Sequence, residues 1–221
     1  MQHFATTAPI ATVLDIPAGR VRFVAAEPGE TTVDVRPADP AKSRDVKAAE
    51  QVEVGFADGV LHIEGAAGNQ YFGPSGSLDV VVKLPAGSDV RAKAASVALR
   101  GVGRLGDVTV EGAHGEAVFD EAASLHLTAH AGDVSVGRLT GPAEITTGKG
   151  DIRIAEAVSG NLVLSTQAGD ITVGAATGVS ASLDAGTTYG RIRNSLKNTE
   201  GAAALTIHAT TAYGDIDAAA R

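Results

Sequence analysis

The chain has 221 residues, a formal net charge of −8, 44% hydrophobic residues, only 4% aromatic ones, and no cysteine. That length supplies ample core, and the missing cysteines exclude a disulfide framework, thiolate metal sites and a cysteine nucleophile. The acidic balance and scarce aromatics argue against nucleic acid and anionic membranes as partners, which call for clustered Lys/Arg or stacking platforms.

The first residues, Met1 to Pro9, lack the basic and apolar regions of a signal peptide, and runs such as Val80–Val82 are far too short to span a bilayer. A cytoplasmic protein without membrane insertion is therefore expected, unless a leader precedes this sequence. Short alternating strands follow at Val13–Ile16, Arg20–Val24, Thr31–Arg36, Gln51–Val54, Val60–Ile63 and Ser77–Leu84. Turns such as Pro17-Ala18-Gly19 and Glu27-Pro28-Gly29 are expected to end them. One helix is predicted from Asp39-Pro40, with Pro40 at the first helical position, to about Glu50. Seven of the 8 prolines precede residue 86 and 19 of the 27 glycines follow it. This shift divides a β-rich N-terminal cap region, 1–86, from a regular array, 87–221.

The array is a repeat. Leu125-His-Leu-Thr-Ala-His-Ala-Gly-Asp-Val-Ser-Val136 matches Leu162-Val-Leu-Ser-Thr-Gln-Ala-Gly-Asp-Ile-Thr-Val173, with Ala143–Ile154 between them. Looser copies begin at Val90, Val108, Ala181 and Leu205, which makes about seven coils of two short strands around a Gly-Asp turn. One such unit cannot bury its apolar side alone; stacked coils can, each strand pairing in parallel with its counterpart one coil away. Val110, Leu127, Ile145, Leu164, Leu183 and Ile207 then form one inward column, and Val134, Ile152, Ile171, Ile192 and Ile216 another. Thr128, Thr146 and Ser165, or Ser135, Arg153 and Thr172, face water. The fold class is all-β, a right-handed parallel β-solenoid. A β-sandwich also has short, evenly spaced strands, but it does not require the same columns to recur in every coil.

The serial Gly-Asp-[Ile/Val]-x-[Ile/Val] at 132–136, 150–154 and 169–173, with the Val82–Val90 segment before it, resembles the bacterial β-strand-repeat "putative adhesin" family, a domain of unknown function. The resemblance covers nearly the whole chain and implies the fold, with no cofactor and no catalytic residue.

The Gly-Asp turns align Asp133, Asp151, Asp170 and Asp215 on one corner, with Glu116 and Arg191 in the remaining coils. Carboxylates at the ~4.8 Å strand spacing repel by roughly 0.9 kcal/mol per pair even in bulk water, so something must offset them. A local backbone N–H accepted by each Asp is the expected answer. Calcium held by Asp133, Asp151 and Asp170 is the alternative, and Arg191 would break such a file. His114, His126 and His130 read as solvated surface residues, with a turn expected between the last two.

Enzyme motifs are missing: there is neither a Gly-x-Ser-x-Gly elbow nor a phosphate-binding Gly-x-x-x-x-Gly-Lys-[Ser/Thr] loop, and the returns between strands are short. The candidate binding residues are Tyr71 and Phe72, in a Gly-rich loop, and Tyr189 and Tyr213, which precede the glycines of consecutive coils and should stack. The expected function is a non-enzymatic scaffold for protein–protein association. The alternative is an adhesin-like surface or carbohydrate binder exported by an unseen route. Only Ala218–Arg221 follow the last repeat, so self-association is expected at that end, opposed by Asp215 and Asp217.

Overall fold

The computed structural model describes residues 1–65, 76–198 and 202–221. The loop candidates Tyr71 and Phe72 lie outside the described residues. The N-terminal segment holds β1 (Gln2–Thr6), β2 (Ala11–Ala26), β3 (Gly29–Pro37), α1 (Ser43–Glu50), β4 (Glu53–Ala57), β5 (Val60–Glu64) and β6 (Leu78–Pro85). β2 does not stop at Pro17. Its first half pairs in parallel with β5 and its second half with β6, so the chain turns a corner between two layers without leaving the sheet. Proline and glycine serve that corner: Pro17 has no N–H to satisfy, and Gly19 takes φ +136°, where a Cβ would collide with the Leu78 backbone.

The helix begins at Ser43 rather than at Pro40. Ahead of it, Asp39 accepts the Ala41 N–H at 3.0 Å and pairs with Lys42 at 3.2 Å, forming a separate turn around Pro40. The Ala41 N–H, followed by Lys42, holds the Asp39 carboxyl below its usual range. Asp45, buried on the helix, accepts the Ser77 N–H at 3.0 Å and docks α1 at the start of β6. β3 runs antiparallel to β6, β1 to β3, and β4 to β5. The outer strands of the two layers converge where the Phe4 and Phe56 rings come within 5.5 Å, which closes this end.

The array continues with β7 (Asp89–His114), β8 (Ala117–Ala131), β9 (Val134–Leu139), β10 (Ala143–Lys149), β11 (Ile152–Ala157), β12 (Gly160–Ala168) and β13 (Ile171–Ala175). β2 pairs with β7 from Ala11↔Asp89 to Val24↔Val102, so the ladder is continuous from the N-terminal segment into the repeats. β8, β10 and β12 stack in register on one layer, and β9, β11 and β13 on the other. Leu127, Ile145 and Leu164, and Val134, Ile152 and Ile171, point inward and are buried. The result is the expected all-β solenoid, built of parallel coils.

The last two coils depart from chain order. They comprise β14 (Ala181–Tyr189) with β15 (Ile192–Ser195), and β16 (Leu205–Tyr213) with β17 (Ile216–Ala220). β12 pairs with β16 and β13 with β17, while β14 and β15 pair with the outer sides of β16 and β17. The final coil is thus inserted between the two that precede it in sequence. Termination at the Tyr213–Asp217 repeat is corrected accordingly: the outermost strands are β14 and β15. The N-terminal end has a similar inversion, because β2 lies between the β5–β6 coil and β7. One inward column also shifts. Leu164 pairs with Ala209, and Ala209 with Ala185, while Ile207 and Leu183 continue the column of Leu162. Register is set by counting back from the Gly at each corner, not forward from the first apolar residue.

Candidate interaction surface

The corner of each coil is the most regular part of the molecule. Asp133 accepts the backbone N–H of Asp151 at 2.9 Å, Asp151 that of Asp170 at 2.8 Å, Asp170 that of Asp215 at 2.7 Å, and Asp215 that of Arg191 at 2.9 Å. Each carboxylate therefore reaches across to the neighbouring coil; the expected local N–H is replaced by an inter-coil one. A charge-assisted hydrogen bond at every step offsets the repulsion along the file. In return, the Asp151 carbonyl accepts the Val134 N–H at 2.8 Å, and the pattern repeats at Asp170, Asp215 and Arg191. Oδ1 of Asp133, Asp151 and Asp170 is thus occupied by the fold. Among the described residues no three His, Asp or Glu side chains converge to hold a metal ion.

A second ladder lies just inside the corner. Thr166 donates to the Gly150 carbonyl at 3.1 Å, Thr211 to Gly169 at 3.0 Å and Thr187 to Gly214 at 3.0 Å. The hydroxyls satisfy carbonyls that would otherwise be buried where the chain reverses. Sequence reading missed this ladder, although its signal is present: a Thr stands three residues before the corner Gly at 147, 166, 187 and 211.

On the solvent side of the same corner sit the tyrosines. The Tyr189 and Tyr213 rings lie 5.0 Å apart and 7° from parallel, each about 60% exposed (64% and 60%). The expected stack exists because β14 and β16 are neighbours with Tyr189↔Tyr213 in register. Tyr213 is flanked on its other side by Ala168, too small to cover the ring. The outcome is a two-ring aromatic platform open to solvent. Three histidines lie elsewhere on the same layer. His126 and His130 both belong to uninterrupted β8 and face outward, so no turn separates them. His126 meets Glu144 at 3.4 Å, and His130 stacks on His114 at 5.1 Å.

One open cleft of about 1150 Å³ lies beside the end of α1. Asp15, Glu50, Glu53, Glu64 and Glu111 line it, with Lys93 the one cation among its described lining residues. Its described lining residues include no Ser, Thr, Cys or His to act as a nucleophile beside a base. Among the described residues, no helix is long and apolar enough to cross a membrane.

Parallel coils linked by an Asp-to-backbone relay make this a β-solenoid repeat protein. The chain belongs to the Toastrack DUF4097 family, whose model matches residues 13–221. Among solved structures it is similar to a "putative cell adhesion protein" from Clostridium sporogenes, with 10% identity and a TM-score of 0.39, over 100% of this chain and 98% of that one. It is also similar to a "putative adhesin" from Bacteroides fragilis, with 14% identity and a TM-score of 0.43, over 98% and 95% of the two chains. Another, from Parabacteroides distasonis, has 11% identity and a TM-score of 0.43 over 98% and 95%. No curated protein matches.

Proposed function

We propose that the chain is a non-enzymatic interaction scaffold: a rigid solenoid that presents the Tyr189–Tyr213 platform to a protein partner. The observation that carries this reading is the exposure of two coplanar rings, 5.0 Å apart, on a corner whose polar groups are already committed to the stack. Exposed aromatics are uncommon on a chain with 4% aromatic residues, and such rings are typical anchors of protein interfaces. A rigid support favours binding because little side-chain freedom is lost when the partner docks. The repeat-defining Asp and Thr side chains serve packing, which supports a scaffold over a catalyst.

A second reading follows from the same coplanarity. A flat aromatic pair also suits the apolar face of a sugar ring, as an adhesin-like carbohydrate binder would require. Capture of partners on immobilised protein, alongside a glycan array, tests both readings. Each is run with the parent and with Tyr189→Ala plus Tyr213→Ala. A protein held by the parent and lost by the variant supports the first reading, and a glycan with that behaviour supports the second. Partners retained equally by both proteins would remove the platform from the function.

A further inference from the structure

The two ends of the solenoid are finished differently. At the N-terminal end, antiparallel strands converge on the Phe4–Phe56 contact. At the other end β14 and β15 each have one strand neighbour, β16 and β17, and none on the outer side among the described residues. Among the described residues, one corner of this end is covered: the Lys197 carbonyl accepts the Ala181 N–H at 3.2 Å, and Leu196 packs against the core cluster. Beyond that corner no described strand pairs with the outer side of β14 or β15, and an open sheet edge of this kind is the feature that recruits another strand. Side chains mark it as well. Ile192 occupies the column in which Ile152, Ile171 and Ile216 are at most 1% exposed, yet it is 46% exposed itself. An inward isoleucine left half in water is an incomplete core.

We infer that this edge is a homodimer interface, in which β15 of one molecule pairs antiparallel with β14 of a second copy around a two-fold axis running along the strands. The charges select this axis. The strands of the two layers run in opposite directions, so a two-fold axis normal to the layers sets β14 beside its own copy and β15 beside its own copy. Because opposing residues in an antiparallel pair share a face, Ile192 must oppose an inward residue, Ile192 or Asn194 of the copy. In the first register Arg191 opposes Arg193, and in the second Arg193 opposes its own copy, so arginines meet in both, and like charges directly opposite destabilise the pairing. The axis along the strands exchanges the layers instead. It sets the outward Arg191 and Arg193 against the outward row Ser182, Asp184, Gly186 and Thr188, whose one charge is the Asp184 carboxylate. Among the described residues Asp184 pairs with His208 at 3.3 Å and Arg193 with Asp217 at 3.8 Å, both at the surface. Arginine is long enough to reach a residue opposite or diagonal to it. Two-fold symmetry makes this contact twice. The dimer buries both Ile192 side chains and closes without growing.

This inference does not use the tyrosine platform, so either can fail alone. Sedimentation velocity of the full chain over a wide concentration range tests it. The expected result is a monomer–dimer equilibrium that tightens as salt is lowered, since the ion pairs are screened by salt. Asp184→Arg or Arg193→Asp should each weaken the dimer about tenfold, because a reversal turns two attractions into two repulsions. Combining the two should restore the parent affinity. Melting curves check that each variant remains folded, and the milder Asp184→Asn and Arg193→Gln serve if a reversal unfolds the edge, with a weakening of about threefold expected. A strict monomer at every concentration, oligomers growing beyond two, or single variants that dimerise like the parent would each overturn the proposal.

Discussion

Asp170 accepts the backbone N–H of Asp215 at 2.7 Å, across 45 residues of chain. The next corner in sequence is Gly190-Arg191, not Gly214-Asp215, and Arg191 instead donates its N–H to Asp215. A relay in which each carboxylate holds the next coil stops at a coil with no carboxylate to hand on. Arg191 supplies that terminus. The coil whose corner lacks an aspartate is the outermost one.

This order has a consequence for dynamics. The strand β17 is enclosed by coils on both sides, while β15 has one described strand neighbour. Amides of Ile216–Ala220 should exchange with deuterium roughly ten- to a hundredfold more slowly than those of Ile192–Ser195. Hydrogen exchange with peptide-level mass spectrometry compares the two directly. Faster exchange at 216–220 would place the final coil at the open end after all.

Gly150 illustrates how little room the corner leaves. It takes φ +135°, and a Cβ there would run into the Gly132 carbonyl of the neighbouring coil. Gly150→Ala combines a disfavoured backbone conformation with a clash against Gly132, whose N–H is held by the Lys149 carbonyl. A loss of about 3 kcal/mol or more is expected, visible as a lower urea midpoint. Ala at Gly186, which has open space around its Cβ position and an ordinary φ, is the matched control and should cost far less.

The inward column supplies a third expectation. Leu164 is 1% exposed and lies between Ile145 and Ala209 in the ladder. Among the described residues no cation is buried in the core, so Leu164→Asp would bury an unpaired charge at a cost of several kcal/mol, comparable with the whole stability of a domain. The variant should be aggregated or unfolded at room temperature. Full retention of the parent melting temperature would mean that residue 164 does not face the core.

The repeat was legible because its chemistry is local: a Gly-Asp corner flanked by alternating apolar residues must face its neighbours in the same way each time. Columns through Ile145 and Ile152 follow from that alone. Coil order was hidden, because adjacency in space was equated with adjacency in sequence. The pairing of Leu164 with Ala209 was likewise hidden by small residues that carry no hydrophobic signal. At Pro17 the usual meaning of proline as a strand end failed, since a solenoid corner tolerates a missing N–H within a continuing strand. Of the candidate surface, the Tyr189–Tyr213 stack could be read from spacing. The exposed edge could not, because exposure of Ile192 depends on which coil is outermost.

The corner aspartates give the last expectation. The Asp170 Oδ1 takes the Asp215 N–H, so Asp170→Ala should cost about 1.5 kcal/mol, the low end for a hydrogen bond to a charged group because the site is exposed. Asp217→Ala, on the outward row of β17 and outside the relay, should cost less. Because the fold already uses these oxygens, added calcium or EDTA should leave the melting temperature of the parent unchanged. A specific site filled to 100 times its dissociation constant would instead add about 2.7 kcal/mol, well within reach of a thermal scan. A saturable rise with calcium that disappears in Asp170→Ala would make the carboxylate file a metal site. The inter-coil hydrogen bonds would then have to be shared with the ion.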